Sequence, residues 1–346
     1  MAGLRVAFVV QGEGRGHMTQ ALALASFLRD AGHEVVDVLV GRSPHRSTPA
    51  YFLEEIEAPV HTFEAPVQVP GPKGRRLSVR RTVSDAVRRS PAFLRSVVAI
   101  AERTVKVDVV VSFLDLLGGV SRVLFPNDVP TVAIAHNYVF LHPALADVPG
   151  PPHRRRLVLG YARATTAGTE QRVALSFDDL DPVPEKSLLV APPLLRPGLD
   201  DVQTTDEGYL LAYTLNPGYA DLLAAWQRGS GSDVHCYLEG GASSLSGEPN
   251  PGFHAHDLDG KAFLDHLAGC RAYVGSAGFE SICEAHYLGK PVKHGLFWPD
   301  RKIRLFDRRH AVRGFFFGNE PPDFPNRVYI RQGDPRQLGV SFDTRF

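Results

Sequence analysis

Long apolar runs are missing from this 346-residue sequence: no stretch of 18 apolar residues occurs, which argues against a membrane span. Cysteine is scarce as well. Cys236, Cys270 and Cys283 are odd in number and far apart, so they suggest no disulfide framework and match no zinc-ligand spacing. That usage fits a reducing compartment, and the chain opens directly on a strand rather than a signal segment, so the expectation is a cytoplasmic protein. Excess charge is absent too. With 38 basic against 38 acidic side chains, no global field recruits nucleic acid. Of the 14 histidines only His254 and His256 stand close together, and they alternate along a strand, so no metal site is expected. What is present is ordinary globular composition, 44% apolar and 22% charged, at a length that suits two domains.

Apolar strands alternate with amphipathic helices along the chain. In the first half the strands read Leu4–Val10, Glu34–Val40, Val60–Phe63, Val107–Phe113, Thr131–Ala135 and Arg172–Ser176, with helices at His17–Asp30, Ser78–Lys106, Leu117–Phe125 and Arg154–Thr165. Residues 181–201 carry Pro182, Pro184, Pro192, Pro193 and Pro197 and read as the exit toward a linker. The pattern then restarts: strands Tyr209–Tyr213, Asp233–Leu238, Gly252–His256, Arg271–Val274 and Val292–Leu296, with helices Tyr219–Gln227, Lys261–Ala268 and Phe279–Leu288. Such alternation predicts an α/β protein of two doubly wound, Rossmann-like parallel-sheet domains, 1–195 and 196–346. Ligands of such sheets lie beyond the strand C-termini.

Two glycine turns sit at such strand ends. Gly275-Ser276-Ala277-Gly278 separates the strand ending at Val274 from the helix beginning at Phe279. Small residues before a helix N-terminus expose backbone N–H groups, and with the helix dipole they suit a diphosphate. Glu280 and Glu284 lie one turn apart on that helix; Glu280 complements the dipole, and Glu284 is placed to accept from a vicinal diol. The alternative is a tight strand–helix connection with solvated glutamates. The other turn, Gln11-Gly12-Glu13-Gly14-Arg15-Gly16-His17-Met18-Thr19-Gln20, follows the first strand, with Asp37 near the end of the next. A dinucleotide fingerprint needs glycine at its sixth place, where this chain has His17 or Thr19, so the nicotinamide interpretation fails there.

The run Gly-Glu-Gly-Arg-Gly-His-Met-Thr-Gln-Ala from Gly12, and Ser-Ala-Gly-Phe-Glu-Ser-Ile-Cys-Glu-Ala-His-Tyr-Leu-Gly-Lys-Pro from Ser276, stand about 260 residues apart. In that order they resemble the GT-B glycosyltransferases, most nearly the branch of the peptidoglycan N-acetylglucosaminyltransferase and the UDP-glucuronosyltransferase-like bacterial proteins. The resemblance spans most of the chain. It implies two domains facing across a cleft, metal-independent transfer from a nucleotide-sugar, UDP-linked, with inversion, and no cofactor beyond that co-substrate. It makes His17 the base that takes the acceptor proton and Asp115 the carboxylate that orients it; the alternatives are that His17 only caps its helix or contacts phosphate and that Asp115 caps the next helix. It assigns the donor to Gly16, Thr214, Asn216, Gly275, Ser276, Ala277, Gly278, Phe279, Glu280, Ser281 and Glu284, with helix capping the alternative for Asn216. The acceptor side is Glu13, Arg15, His136 and Asn137, with Glu13 the spare base and His136 alternatively a buried structural histidine. Asp257-Leu258 occupies the place where the family reads the base by backbone. One departure stands out: the Glu-Gln or Asp-Gln pair that contacts the donor sugar is absent, and only Asp300-Arg301 occupies its place.

Residues 71–106 hold Lys73, Arg75, Arg76, Arg80, Arg81, Arg88, Arg89, Arg95, Arg103 and Lys106 against Asp85 and Glu102. This run is either a solvated basic helix or a contact for an anionic acceptor or a membrane surface, where each cation is worth about 1 kcal/mol. The acceptor itself (small molecule, glycan or lipid-linked) is not legible. Two rival functions share the scaffold: a nucleotide-sugar hydrolase or epimerase, and a non-catalytic nucleotide-sugar-binding protein.

Overall fold

The computed structural model describes residues 3–42, 47–67, 69, 78–146, 152–214, 217–275 and 278–294. The chain divides into two compact units, one comprising Ser78–Pro197 with the residues up to Val69, the other beginning at Gly198.

In the first unit β1 (Arg5–Val10) leads into α1 (Arg15–Asp30), followed by β2 (Glu34–Arg42), α2 (Ala50–Glu55), β3 (Val60–Glu64) and α3 (Val79–Thr104). Then come β4 (Val109–Phe113), α4 (Leu116–Leu124), β5 (Thr131–Ala135), α5 (Pro152–Thr165), β6 (Gln171–Leu175) and β7 (Leu188–Ala191). The strands form one parallel sheet in the order β3-β2-β1-β4-β5-β6-β7. The apolar run of β1 is buried on both faces because helices cover both. On one face Ala7, Val9, Leu39 and Phe63 pack against Phe93, Val97 and Ile100 of α3. Pro91 lies inside that helix and has no N–H for the Val87 carbonyl; the Ser90 hydroxyl donates to it instead at 2.9 Å.

The proline-rich segment is more than an exit. After a 3₁₀ turn at Pro184–Lys186, β7 adds a strand to the sheet edge beside β6. Its prolines flank the strand rather than interrupt it, which is where a ladder tolerates them.

The second unit contains β8 (Leu210–Tyr213), α6 (Pro217–Ser230), β9 (Val234–Tyr237), β10 (Phe253–His256), α7 (Gly260–Gly269), β11 (Ala272–Gly275), α8 (Phe279–Tyr287) and β12 (Val292–His294). Its parallel sheet runs β10-β9-β8-β11-β12. One face is apolar: Leu210, Ala212, Val234, Cys236 and Val274 pack against Ala220, Leu223 and Ala224 of α6. The cysteines Cys236, Cys270 and Cys283 are free and buried, and burial raises all three thiols. They behave as small packing residues.

The turn after β1 is held by contact between main chains. A Cβ on Gly12 would stand 1.7 Å from the Gly41 carbonyl oxygen at the end of β2, so only glycine fits. Gly160, exposed within α5, has no atom within 4 Å of such a Cβ. Gly12→Ala is therefore expected to lower unfolding stability by about 1–3 kcal/mol, as overpacking does. Gly160→Ala should raise it by about 0.5–1 kcal/mol through helix propensity. Urea denaturation of both variants checks this, and a Gly12→Ala protein as stable as the parent would contradict the contact.

Candidate functional site

The sheet order places the C-terminal ends of β1, β4 and β5 side by side in the first unit, and each end carries a residue singled out by sequence. Beyond β1, the Gln11 side-chain oxygen accepts from the Gly14 amide at 3.0 Å and shapes the turn. Gly14 is the N-cap of α1, and Arg15, Gly16 and His17 form its first turn. Arg15 is buried, and its guanidinium donates to the Ser47 carbonyl. His17 is only 6% exposed. Its Nδ1 lies 3.3 Å from Gln20 Oε1, one helical turn on, and an amide oxygen there favours the proton on Nδ1. Nε2 then keeps the lone pair, which is the condition for a base.

Beyond β5, His136 and Asn137 begin a 3₁₀ turn running to Leu141, and the His136 ring stacks parallel to that of His17, with centroids 5.8 Å apart and planes 3° from parallel. The structure thus brings together two histidines that lie far apart in sequence. Asn137 Oδ1 is buried without a hydrogen-bond partner among the described residues, an acceptor that a ligand hydroxyl would satisfy.

Asp115, beyond β4, is 2% exposed and caps α4: its Oδ1 accepts from the Gly118 amide at 2.7 Å. Burial pushes its carboxyl up to about 6 against the pull of amide bonds from Gly118 and Leu117. The preceding Leu114 is left-handed at φ 55° although it is not glycine. A strained, buried turn that delivers a carboxylate is the kind of outlier found at functional sites. Tyr138 and Tyr161 are raised by burial and also feel the Asp115 charge.

In the second unit β11 ends at Gly275 and α8 begins after Gly278, its extended N-cap. A Cβ on Gly275 would meet the Tyr273 ring and hydroxyl at 2.8 Å. That buried hydroxyl donates to Ser281 Oγ at 2.8 Å, so the Ser281 hydroxyl keeps its own hydrogen to donate. Phe279 opens the helix, and Glu280 and Glu284 are both buried, Glu284 to 1% exposure. The alternative of solvated glutamates therefore fails. Thr214 follows β8, is buried, and donates its amide to the Tyr237 carbonyl at 3.1 Å. Asn216, Ser276, Ala277 and Asp300-Arg301 lie outside the described residues.

The basic run is partly neutralised within the first unit. Arg88 and Arg89 pair with Asp85, Arg89 also with Glu64, and Arg103 with Asp37 at 2.8 Å. Asp37, the would-be ribose ligand of a dinucleotide fold, is thus engaged by Arg103. Among the described residues no helix is long and apolar enough to cross a membrane.

Two parallel-sheet units, with glycine turns, a buried histidine and buried carboxylates at the strand ends, define the class of two-domain GT-B glycosyltransferases. The chain belongs to glycosyl transferase family 1, whose model matches residues 4–294. Its fold is similar to the crystal structure of the glycotransferase of kitacinnamycin, at 17% identity and TM-score 0.50, covering 84% of this chain and 80% of that one. It is also similar to Arabidopsis thaliana UGT89C1 in complex with UDP-L-rhamnose (14% identity, 84% of this chain, 78% of that one, TM-score 0.52). The quercetin complex of the same enzyme gives 15% identity, the same coverage and TM-score 0.51. Among curated proteins none matches the sequence.

The Asp115 carboxyl yields a pH prediction. Its folded pKa, about 6, exceeds the ordinary value near 3.9, so the folded protein binds more protons than the unfolded chain between about pH 4 and pH 6. The buried charge therefore costs stability above pH 6, and that cost disappears below about pH 4. Asp115→Asn keeps an oxygen to cap α4 and removes the charge. It should be about 2–3 kcal/mol more stable than the parent at pH 7.5, with the gain shrinking to nothing near pH 4. Chemical denaturation across that range checks it, and a gain that does not vary with pH would refute the buried charge as its cause.

Proposed function

We propose that the protein transfers a sugar from a UDP-linked donor to a hydroxyl-bearing acceptor, without a catalytic metal and with inversion at the anomeric carbon. The observation that carries this reading is family membership over residues 4–294, with an imidazole whose Nε2 is kept basic by Gln20. His17 Nε2 takes the proton from the acceptor hydroxyl as its oxygen attacks the anomeric carbon, and the bond to the diphosphate breaks with its electron pair. His136, stacked on His17, and Asn137, with its unsatisfied buried oxygen, hold the acceptor, together with Glu13 and Arg15. Asp115 supplies negative charge at the neighbouring strand end and favours the protonated imidazole.

In the second unit the N-terminal turn of α8 receives the diphosphate. Its amides and dipole stabilise the charge that grows on the leaving group, and Ser281 donates its remaining hydrogen. Glu284, deeper on the same helix, accepts from the ribose diol, and Thr214 lies on the phosphate side. The UDP-L-rhamnose complex of the structural neighbour supports a UDP donor, and its quercetin complex a small-molecule acceptor.

Calorimetry with UDP in excess chelator is expected to show binding. Glu284→Ala should weaken it by about 1.5–3 kcal/mol, roughly 10–150-fold, and Glu280→Ala by less. Binding that appears only on adding magnesium would overturn the metal-free reading, and unchanged affinity in Glu284→Ala would return that residue to a structural role.

The base is tested by turnover. His17→Ala should lose about 10²–10⁴-fold in transfer rate while UDP affinity stays nearly unchanged, and Asp115→Asn should lose less. Weaker nucleotide binding with unchanged turnover at saturating donor would make His17 a phosphate contact instead.

A further inference from the structure

Where β9 and β10 pair, the face of the second sheet opposite its apolar core carries histidines. In the parallel pairing of β9 with β10, His235 stands opposite His254 and Tyr237 opposite His256. Side chains alternate along a strand, so these four form a two-by-two array on one face while Val234, Cys236 and Phe253 enter the core on the other. Helix α7 brings His266 onto the array: its ring centroid lies 4.3 Å from that of His235 and 5.0 Å from that of His256. One ring nitrogen each from His235, His256 and His266 lie within 4.8 Å of one another, and all three residues are half-buried.

Two of the nitrogens already stand near ligand spacing. His235 Nδ1 is 3.0 Å from His256 Nε2. Two imidazole nitrogens on one tetrahedral zinc, each ~2.0 Å from it, stand about 3.3 Å apart, so a shift of tenths of an ångström admits the ion between them. His266 is oriented from behind. Its Nδ1 faces the Ala262 carbonyl at 3.0 Å and the Tyr237 hydroxyl at 2.7 Å. A carbonyl only accepts, so Nδ1 carries the hydrogen and Nε2 keeps its lone pair, the support that metal-bound histidines characteristically have. Beside the cluster, His254 Nε2 donates to Asp233 at 2.8 Å, which adds a carboxylate favourable to a cation.

We propose that His235, His256 and His266 form a site for a divalent transition metal of the zinc class, its remaining position open to water, which clamps β9, β10 and α7 together. Imidazole ligands suit such ions rather than magnesium or calcium. Sequence spacing does not point to this site, because the ligands come from three elements and only the register of β9 on β10 brings them together. The site is independent of the sugar-transfer mechanism above, and no step of that reaction uses it.

The test is titration of the tag-free, chelator-stripped full chain with zinc chloride at pH 7.5. One equivalent should bind with a Kd of about 1 μM or tighter, and the melting temperature should rise by several degrees with zinc in excess. His256→Ala and His266→Ala should each weaken binding at least tenfold with circular dichroism unchanged, and His61→Ala in the first unit should leave it alone. Should either variant fail to fold, cobalt(II) bound to the parent chain decides: a tetrahedral spectrum without thiolate charge-transfer bands supports the site. An octahedral or thiolate spectrum, binding weaker than about 100 μM, or undiminished affinity in a His235→Ala/His256→Ala protein would each overturn it.

Discussion

Every ladder among the described strands is parallel, and much of the rest follows from that. Parallel neighbours must be joined by crossovers, so all strand-to-helix turns open on one edge of each sheet. Helix N-termini then face the same edge, with their positive dipole ends and unsatisfied amides. The edge of the first sheet collects Gly12 to His17, Asp115 and His136 from β1, β4 and β5. The edge of the second collects Thr214 and the Gly275–Ser281 turn from β8 and β11. Residues distant in sequence become neighbours because their strands are adjacent or separated by one.

The first-unit edge is made at the expense of stability. Arg15, His17 and Asp115 are all buried, and Asp115 keeps a carboxyl raised to about 6. An ordinary helix cap sits in water and incurs no desolvation. Leu114 adds a left-handed, non-glycine backbone, worth roughly 1–2 kcal/mol of strain. Capping alone does not require either feature, since serine or asparagine caps without charge. A buried carboxylate beyond a strained residue makes sense where a charge at the strand ends is useful, as in the role proposed for it in proton transfer.

Much of this was legible from residue order. Continuous apolar runs such as Leu4–Val10 marked the buried strands, and glycine turns marked the strand ends. What escaped depended on three-dimensional register or on weak local signals. Strand β7 is four residues long and enclosed by prolines, so it read as linker. Gln20 lies at i+3 from His17, a spacing that would place it on the same helix face, but glutamine carries no signature that singles it out. Leu114 has no sequence cue for a positive φ. The burial of Glu280 and Glu284 was invisible too, because two glutamates one turn apart are just as common on solvated faces.

The second sheet shows how strand period and register divide labour between faces. Val234, Cys236 and Phe253 face α6, where burying apolar surface gives ordinary hydrophobic stabilisation. Their alternate neighbours His235, Tyr237, His254 and His256 face α7, where the contacts are ring stacking and hydrogen bonds that contribute less per side chain. Among the described residues β10 is an edge strand that pairs with β9. Aromatic or aliphatic residues would pack there more firmly. Histidine there trades packing for ligand atoms, and the proposed cation would restore across β9, β10 and α7 what the imidazoles forgo.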